Sequence, residues 1–221
     1  LKRAHQLGVP VSLMFHDVIE GFYTTHVDNF EAAREVARRF YDLGHKNTAF
    51  VSLRFSTSDR SRNRYAGFHA GCRECGLPNP ELIELGETAA NTPEVLAEIL
   101  ASFEVLTAVF ASNDFLAIAV QNAMRLMGKS VPRDLSVVGF DGIRIGRLLD
   151  VPLATIETAP EAMGRQAAVT ILDLMQGKDV VQTPPLPFHF RAGATLARPR
   201  MESRDDDQVA PWPPSVPSIK T

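Results

Sequence analysis

Short apolar runs and helical apolar patterns alternate along most of this chain. Strands are predicted where the runs are short and rich in β-branched residues, at 9–15, 47–53, 81–86, 106–111, 134–140 and 152–157. Helices are predicted where apolar residues recur at helical spacing, at 28–44, 58–76, 92–103, 113–127 and 158–177. Strands separated by helices of this length form right-handed βαβ units, so the pattern predicts an α/β fold with parallel sheets.

Cap residues mark the ends of two of these helices. Asp28 and Glu31 form a predicted capping box, and Gly44 ends that helix. Thr158 and Glu161 repeat the pattern at the start of the last predicted helix. Local chemistry therefore predicts these helix ends independently of apolar spacing.

The composition fits one domain or two small lobes, since 45% of the 221 residues are hydrophobic. A net charge of -3 gives no basic field, so electrostatics alone do not predict a nucleic-acid surface. No apolar run is long enough to span a membrane and no charged-then-apolar leader is seen, so no membrane partner is expected. His69, Cys72 and Cys75 lack a fourth ligand for a closed zinc site, and neither a metal nor a cofactor is expected.

Polar residues follow several of the predicted strands. Asp17 comes after the first strand, the triplet Ser112-Asn113-Asp114 after the fourth, and Asp141 after the fifth, while Arg64 lies in the helix after the second. Ligands of open parallel sheets bind outside the carboxyl ends of the strands. Acceptors, an amide and a guanidinium converging there would suit a polyol, whose hydroxyls both donate and accept.

Each of these residues also has a plain structural alternative. Ser112 or Asn113 can cap the following helix, and Asp17 and Asp141 can begin turns. Phe115 can be a core residue, and the arginines near position 60 can form a solvated face. The residues taken one by one leave both readings open.

An enzyme is not expected from the motifs. The stretch GFDGIRIG (139–146) is rich in glycine, but its spacing differs from that of a dinucleotide-binding loop. Neither a Gly-x-Ser-x-Gly elbow nor a His-Glu-x-x-His motif is present. The sequence therefore shows no nucleophile or metal for catalysis.

Taken together, several motifs resemble the LacI/GalR family of transcriptional repressors. RNRYAGF is similar to that family's Arg-x-x-Gly-aromatic helix start, AVFASNDFLA to its Asn-Asp element, and VPRDLSVVGFDG to its most recognisable signature. The resemblance extends from residue 1 to about residue 198, with the motifs in the family's order.

The resemblance implies an α/β, two-lobe periplasmic-binding-protein-like fold with parallel sheets, its first lobe incomplete. Residues 1–28 would be a remnant of the first lobe, and 29–156 the second lobe of the effector-binding domain. Residues 157–197 would supply the return helix and strands to the first lobe. Residues 198–221, acidic and rich in proline, are expected to form a disordered tail.

The same resemblance implies the function of a sensor in the bacterial cytoplasm. A small-molecule effector, a sugar or sugar derivative, would contact Arg64, Asn113, Asp141 and Phe115 in the second lobe and Asp17 in the first. The family acts as a homodimer and binds operator DNA through an N-terminal helix-turn-helix that would precede Leu1. A periplasmic sugar-binding receptor of a transport system is the alternative, because it uses the same two-lobe cleft.

Overall fold

The computed structural model describes residues 1–86 and 93–200. Its helices are α1 (Lys2–Gln6), α2 (Asn29–Leu43), α3 (Asp59–Glu74), α4 (Pro93–Ala101), α5 (Asp114–Leu126) and α6 (Pro160–Met175). Its strands are β1 (Ser12–Met14), β2 (Tyr23–Thr25), β3 (Thr48–Leu53), β4 (Glu81–Leu85), β5 (Ala108–Ala111), β6 (Ser136–Asp141), β7 (Ala154–Glu157) and β8 (His189–Arg191). Short 3₁₀ helices occupy Phe55–Thr57 and Arg144–Arg147. The predicted alternation of strands and helices is confirmed.

Two sheets organise the chain. A six-stranded sheet has the order β4-β3-β5-β6-β7-β8, and its strands are parallel except for β8, which runs antiparallel to β7. A separate two-stranded sheet pairs β1 and β2 in parallel. The predicted α/β class with parallel sheets is thus confirmed, and the ends of β3, β5 and β6 lie together along one edge.

The six-stranded sheet is buried on both faces. Val51 of β3 and Val109 of β5 pack in a cluster with side chains of α4 and α5, whereas Phe50 and Phe110 pack with α2 and α3 on the opposite face. The Phe50 and Phe110 rings meet edge to face, with centroids 5.2 Å apart. Burial on both faces explains why the strands read as continuous apolar runs rather than alternating ones.

Helices α2 and α3 pack so closely that only glycine fits at their contact. A Cβ atom added to Gly67 of α3 would lie 2.1 Å from the carbonyl oxygen of Phe30 in α2. This close packing fixes the start of α3, where Arg64 lies one helical turn before Gly67.

The last part of the chain serves both sheets. The Gln182 side chain hydrogen-bonds the backbone of β2. Its amide donates to the Thr24 carbonyl at 2.6 Å and accepts from the Thr24 N–H at 2.9 Å. The N–H of Leu186 donates to the carbonyl of His26. Strand β8 then joins the six-stranded sheet as the antiparallel neighbour of β7.

One predicted cap is confirmed and the other is wrong. Asp28 accepts from the N–H of Glu31 at 2.9 Å, and Gly44 ends α2 with a φ of 89°. Helix α6 instead begins at Pro160, and its N-cap residue, Ala159, makes no side-chain cap. The hydroxyl of Thr158 donates to the carbonyl of Asp141 at 3.1 Å. Because the hydroxyl makes this tertiary contact, it does not form the predicted capping box.

Two further expectations concern the C-terminal tail and membrane-spanning helices. Residues 201–221 of the predicted tail lie outside the described residues, and 198–200 belong to no helix or strand. Within 1–86 and 93–200, none of the helices has both the length and the apolar character needed to cross a bilayer.

Candidate functional site

A cavity of about 820 Å³ opens at the carboxyl ends of the strands. Three parts of the chain form its wall. The first is the end of β1 and the residues after it, Met14, Phe15 and His16, and the second runs from the end of β3 to the start of α3, with Leu53, Arg54, Thr57, Ser58, Asp59, Arg60, Ser61 and Arg64. The third lies at the ends of β5 and β6, with Ser112, Asn113, Phe115 and Asp141. Side chains from both sheets therefore meet at one space large enough for a small ligand.

Backbone strain is concentrated in this wall. Within the described residues, the non-glycine residues with positive φ are Phe15 at 62°, Arg54 at 46° and Asp141 at 110°. All three line the cavity, and each lies at or just after the end of a strand. Strain of this kind persists only where the surroundings hold it in place, and it clusters at ligand-binding sites.

The Arg64 side chain is held in place in the cavity wall. Its Nε donates to Asn29 Oδ1 at 2.9 Å, its Nη1 donates to the carbonyl of Ser112, and its guanidinium lies 3.5 Å from the centroid of the Phe140 ring. Burial lowers its pKa to about 10, which still leaves the side chain charged at neutral pH. Three contacts thus hold one buried cation in a single orientation.

Asp141 faces Arg64 across a gap. Arg64 Nη2 and Asp141 Oδ1 are 3.7 Å apart, which is too long for a hydrogen bond. Burial raises the pKa of Asp141, while the charges of Arg64 and Arg60 act in the opposite direction. A ligand hydroxyl placed beside the pair, within hydrogen-bond distance of both groups, could donate to the carboxylate and accept from the guanidinium.

The three polar residues at 112–114 make different contacts. The Ser112 carbonyl accepts from Arg64, and Asn113 Oδ1 caps α5 by accepting from the Leu116 N–H at 2.9 Å. Asp114 is fully buried and faces away from the cavity wall, where its carboxylate accepts from Thr155 and Ile143. The Asn113 amide nitrogen is thus left for a ligand at the cavity wall.

Phe115 lies at the mouth of the cavity and not in the core. It is 70% exposed and lines the cavity directly after Asn113. An aromatic face in this position can stack on the apolar face of a ring.

Asp17 does not line the cavity. Its Oδ1 accepts from the Asn63 amide at 2.9 Å, and the preceding residue, His16, lines the wall instead. His16 Nδ1 lies 3.0 Å from Asp59 Oδ2. The two contacts join the segment after β1 to the first turns of α3, so the two-stranded sheet reaches the cavity through Phe15 and His16.

Sequence reasoning missed several residues that shape the site. Asn29, which orients Arg64, is an ordinary first residue of α2 in the sequence. Phe15 and Phe140 end apolar runs and carry no signal that separates them from core residues. Asp114 was visible in the triplet, but only its tertiary contacts distinguish its part from that of Asn113.

Comparison with known proteins identifies the family of this chain. The family model of the periplasmic binding protein-like domain matches residues 37–194. The HTH-type transcriptional repressor CytR of Escherichia coli is 31% identical over 159 residues, which are 71% of this chain and 46% of that protein. This chain belongs to the LacI/GalR family, as an effector-binding domain.

Other LacI-family regulators show the same relationship. The HTH-type transcriptional regulator GntR of Escherichia coli is 28% identical over 187 residues, covering 81% of this chain and 54% of that protein. This LacI-family chain therefore spans about half the length of the curated relatives that it matches.

Solved structures of LacI-family regulators share the fold. One from Corynebacterium glutamicum has a TM-score of 0.79 at 26% identity over 89% of this chain and 63% of that one. One from Enterococcus faecium, solved with bound ribose, has a TM-score of 0.80 at 23% identity over 89% of this chain and 74% of that one.

Proposed function

We propose that the chain is the effector-sensing domain of a DNA-binding transcriptional repressor, and that its effector is a sugar or sugar derivative. The observation that carries this proposal is the 3.7 Å gap between Arg64 and Asp141 in the cavity wall. Three contacts hold the Arg64 guanidinium, yet it makes no hydrogen bond to the Asp141 carboxylate. A hydroxyl oxygen that lies beside the pair can bond both groups at once, and the HTH-type names of the relatives supply the regulatory setting.

Four second-lobe residues would hold the effector. Arg64 and Asp141 bind one hydroxyl or a pair of neighbouring hydroxyls, and the Asn113 amide nitrogen donates to another oxygen. Phe115 stacks on the apolar face of the sugar ring. Asp17 is the first-lobe contributor, and it exchanges its Asn63 hydrogen bond for the ligand when the lobes close.

The effector would act on the connection between the lobes. The carbonyl of Asp141 accepts from the N–H of Thr158 at 3.3 Å and from its hydroxyl at 3.1 Å, and Thr158 lies between β7 and α6. Helix α6 in turn contacts β1 and β2. A ligand that draws Asp141 toward itself thus biases the angle between the sheets, a coupling that is typically ~1–3 kcal/mol.

The remaining partners belong to the whole regulator. It binds operator DNA through a helix-turn-helix outside these 221 residues, as the HTH-type names of the relatives suggest. It works in the cytoplasm as a homodimer without a cofactor or enzymatic activity. Ile145 and Leu148, which are 52% and 81% exposed at the 3₁₀ helix Arg144–Arg147, support a contact between copies.

The test measures DNA binding and its response to sugars in the full-length protein. Fluorescence anisotropy with the DNA upstream of its own gene is recorded with and without D-ribose and a panel of other sugars. A sugar that changes operator affinity, with the change lost in Arg64→Ala and Asp141→Ala while operator binding persists, supports the proposal. A protein that binds the sugar but no DNA would favour the transport receptor instead.

A further inference from the structure

Asp114 is fully buried directly behind the cavity wall. It is the first residue of α5, and its two carboxylate oxygens point in different directions. Oδ1 accepts from the Thr155 hydroxyl of β7 at 2.5 Å, and Oδ2 accepts from the Ile143 N–H at 2.7 Å. One side chain therefore joins α5, β7 and the turn that follows β6.

That turn carries the strained residue of the site. Asp141 has a φ of 110°, a conformation that L side chains rarely adopt. Ile143, two residues later, is the residue whose N–H donates to Asp114. Strain of this kind is maintained only when the neighbouring structure determines the backbone on both sides. Asp114 is the acceptor that fixes the backbone after Asp141.

The sheet leaves no room for Asp114 to move toward β6. A Cβ atom added to Gly139 would lie 2.2 Å from Asp114 Oδ1, so the carboxylate rests against the bare backbone of the strand. A buried carboxylate in such a place is costly unless it is fully hydrogen-bonded. The Thr155 hydroxyl and the Ile143 N–H each bond one of its oxygens, which indicates one fixed position.

We infer that Asp114 is a positioning residue for effector binding: by holding the Ile143 amide and the Thr155 hydroxyl, it keeps the Asp141 carboxylate facing Arg64. The inference rests on the proposed function, because it assigns a purpose to the orientation of Asp141. It also assigns different roles to the two acidic residues, Asp141 and Asp114. Asp141 contacts the effector, whereas Asp114 touches only protein.

The test combines a readout that needs no ligand with one that does. The first is the side-chain carboxyl ¹³C resonance of Asp141, followed through a pH titration of the ¹³C-labelled full chain. The second is the affinity for D-ribose, measured by isothermal titration calorimetry. Asp114→Ala removes the acceptor, while Asp114→Asn keeps an oxygen for the Ile143 amide and can donate to Thr155 Oγ1. Asp134→Asn is the matched control, since Asp134 also accepts from a backbone N–H, that of Ser130, but does not line the cavity.

We expect Asp114→Ala to shift the Asp141 resonance and its titration midpoint, and to weaken ribose binding by ~10–100-fold, the equivalent of one charge-assisted hydrogen bond. Asp114→Asn should restore both readouts close to wild type, and Asp134→Asn should change neither. An unchanged Asp141 resonance in a folded Asp114→Ala chain would overturn the inference. So would an equal loss in Asp114→Ala and Asp114→Asn.

A second pair of variants covers the case in which Asp114→Ala does not fold. Thr155→Val removes one donor at nearly constant volume, and Thr155→Ser keeps the hydroxyl. The Asp141 resonance should move in Thr155→Val and return in Thr155→Ser, and equal spectra for the two would overturn the inference. Wild-type protein that fails to bind ribose would count against ribose as the effector, while the resonance of Asp141 would still decide the part played by Asp114.

Discussion

Replacing Arg64 by lysine keeps the charge and removes the planar fork. Arg64 donates to Asn29 and to the Ser112 carbonyl while it lies on the Phe140 ring. A lysine ammonium is a point charge that reaches one of the two acceptors, and both acceptors are in buried residues. One unpaired buried acceptor costs ~1–3 kcal/mol, and the lost contact with the ring adds ~1 kcal/mol. We therefore expect Arg64→Lys to lower the free energy of unfolding by ~2–4 kcal/mol.

Urea denaturation at neutral pH measures this difference, and calorimetry should show a melting temperature lower by roughly 4–16 °C for a chain of this size. Arg62→Lys is the control, because Arg62 lies in the same helix but is exposed and bonds only the Ser56 carbonyl in the described structure. That variant should stay within ~0.5 kcal/mol of wild type. Arg64→Lys as stable as Arg62→Lys would refute the view that the guanidinium is fixed by its three contacts.

Three further predictions follow from particular contacts. Gly139→Ala should destabilise the chain by ~1–3 kcal/mol in urea denaturation and weaken sugar binding, because its Cβ would overlap the Asp114 carboxylate; normal stability and binding would contradict the close packing. Burial raises the pKa of Asp114 from 3.8 to about 6, so the folded state takes up a proton between these values that the unfolded chain does not. Relative to Asp114→Asn, wild type should lose up to ~3 kcal/mol of its free energy of unfolding as the pH rises from 4 to 7. Asp141 and Arg64 are present in both proteins, so their titration does not account for this change. A stability difference between the two proteins that stays constant with pH would refute this assignment. Leu148→Asp should shift a dimer to a monomer in sedimentation experiments, since a carboxylate cannot be buried unpaired between copies, and an unchanged dimer would exclude this surface.

The sequence predicts the architecture well because the relevant forces are local or periodic. The strands are buried on both faces, so apolar runs such as 47–53 mark them without knowledge of their neighbours. Asp28 caps α2 through a residue three positions away, which sequence alone can specify. Thr158 satisfies the same local rule, yet its hydroxyl bonds Asp141, seventeen positions earlier in the chain. Where a distant partner competes for a polar group, local rules fail.

The site is predicted less completely for the same reason. Arg64, Asn113, Phe115 and Asp141 all line the cavity, since the ends of parallel strands meet at one edge. Asp17 follows its strand in the same way, but Phe15 turns with a positive φ, and His16 lines the wall in its place. Such a turn in a bulky residue goes against its own preference, so no propensity argument finds it.

The central claim is that the cavity binds a polyhydroxylated effector between Arg64 and Asp141. The most direct measurement is the melting temperature of the wild-type chain and of Asp141→Asn with a panel of sugars and sugar derivatives, D-ribose among them. A ligand present at 100 times its Kd stabilises a protein by ~2.7 kcal/mol, or roughly 5–11 °C here. The account predicts that at least one sugar raises the melting temperature of wild type by several degrees and leaves that of Asp141→Asn unchanged. A panel without effect on wild type, or with equal effect on both proteins, would contradict it.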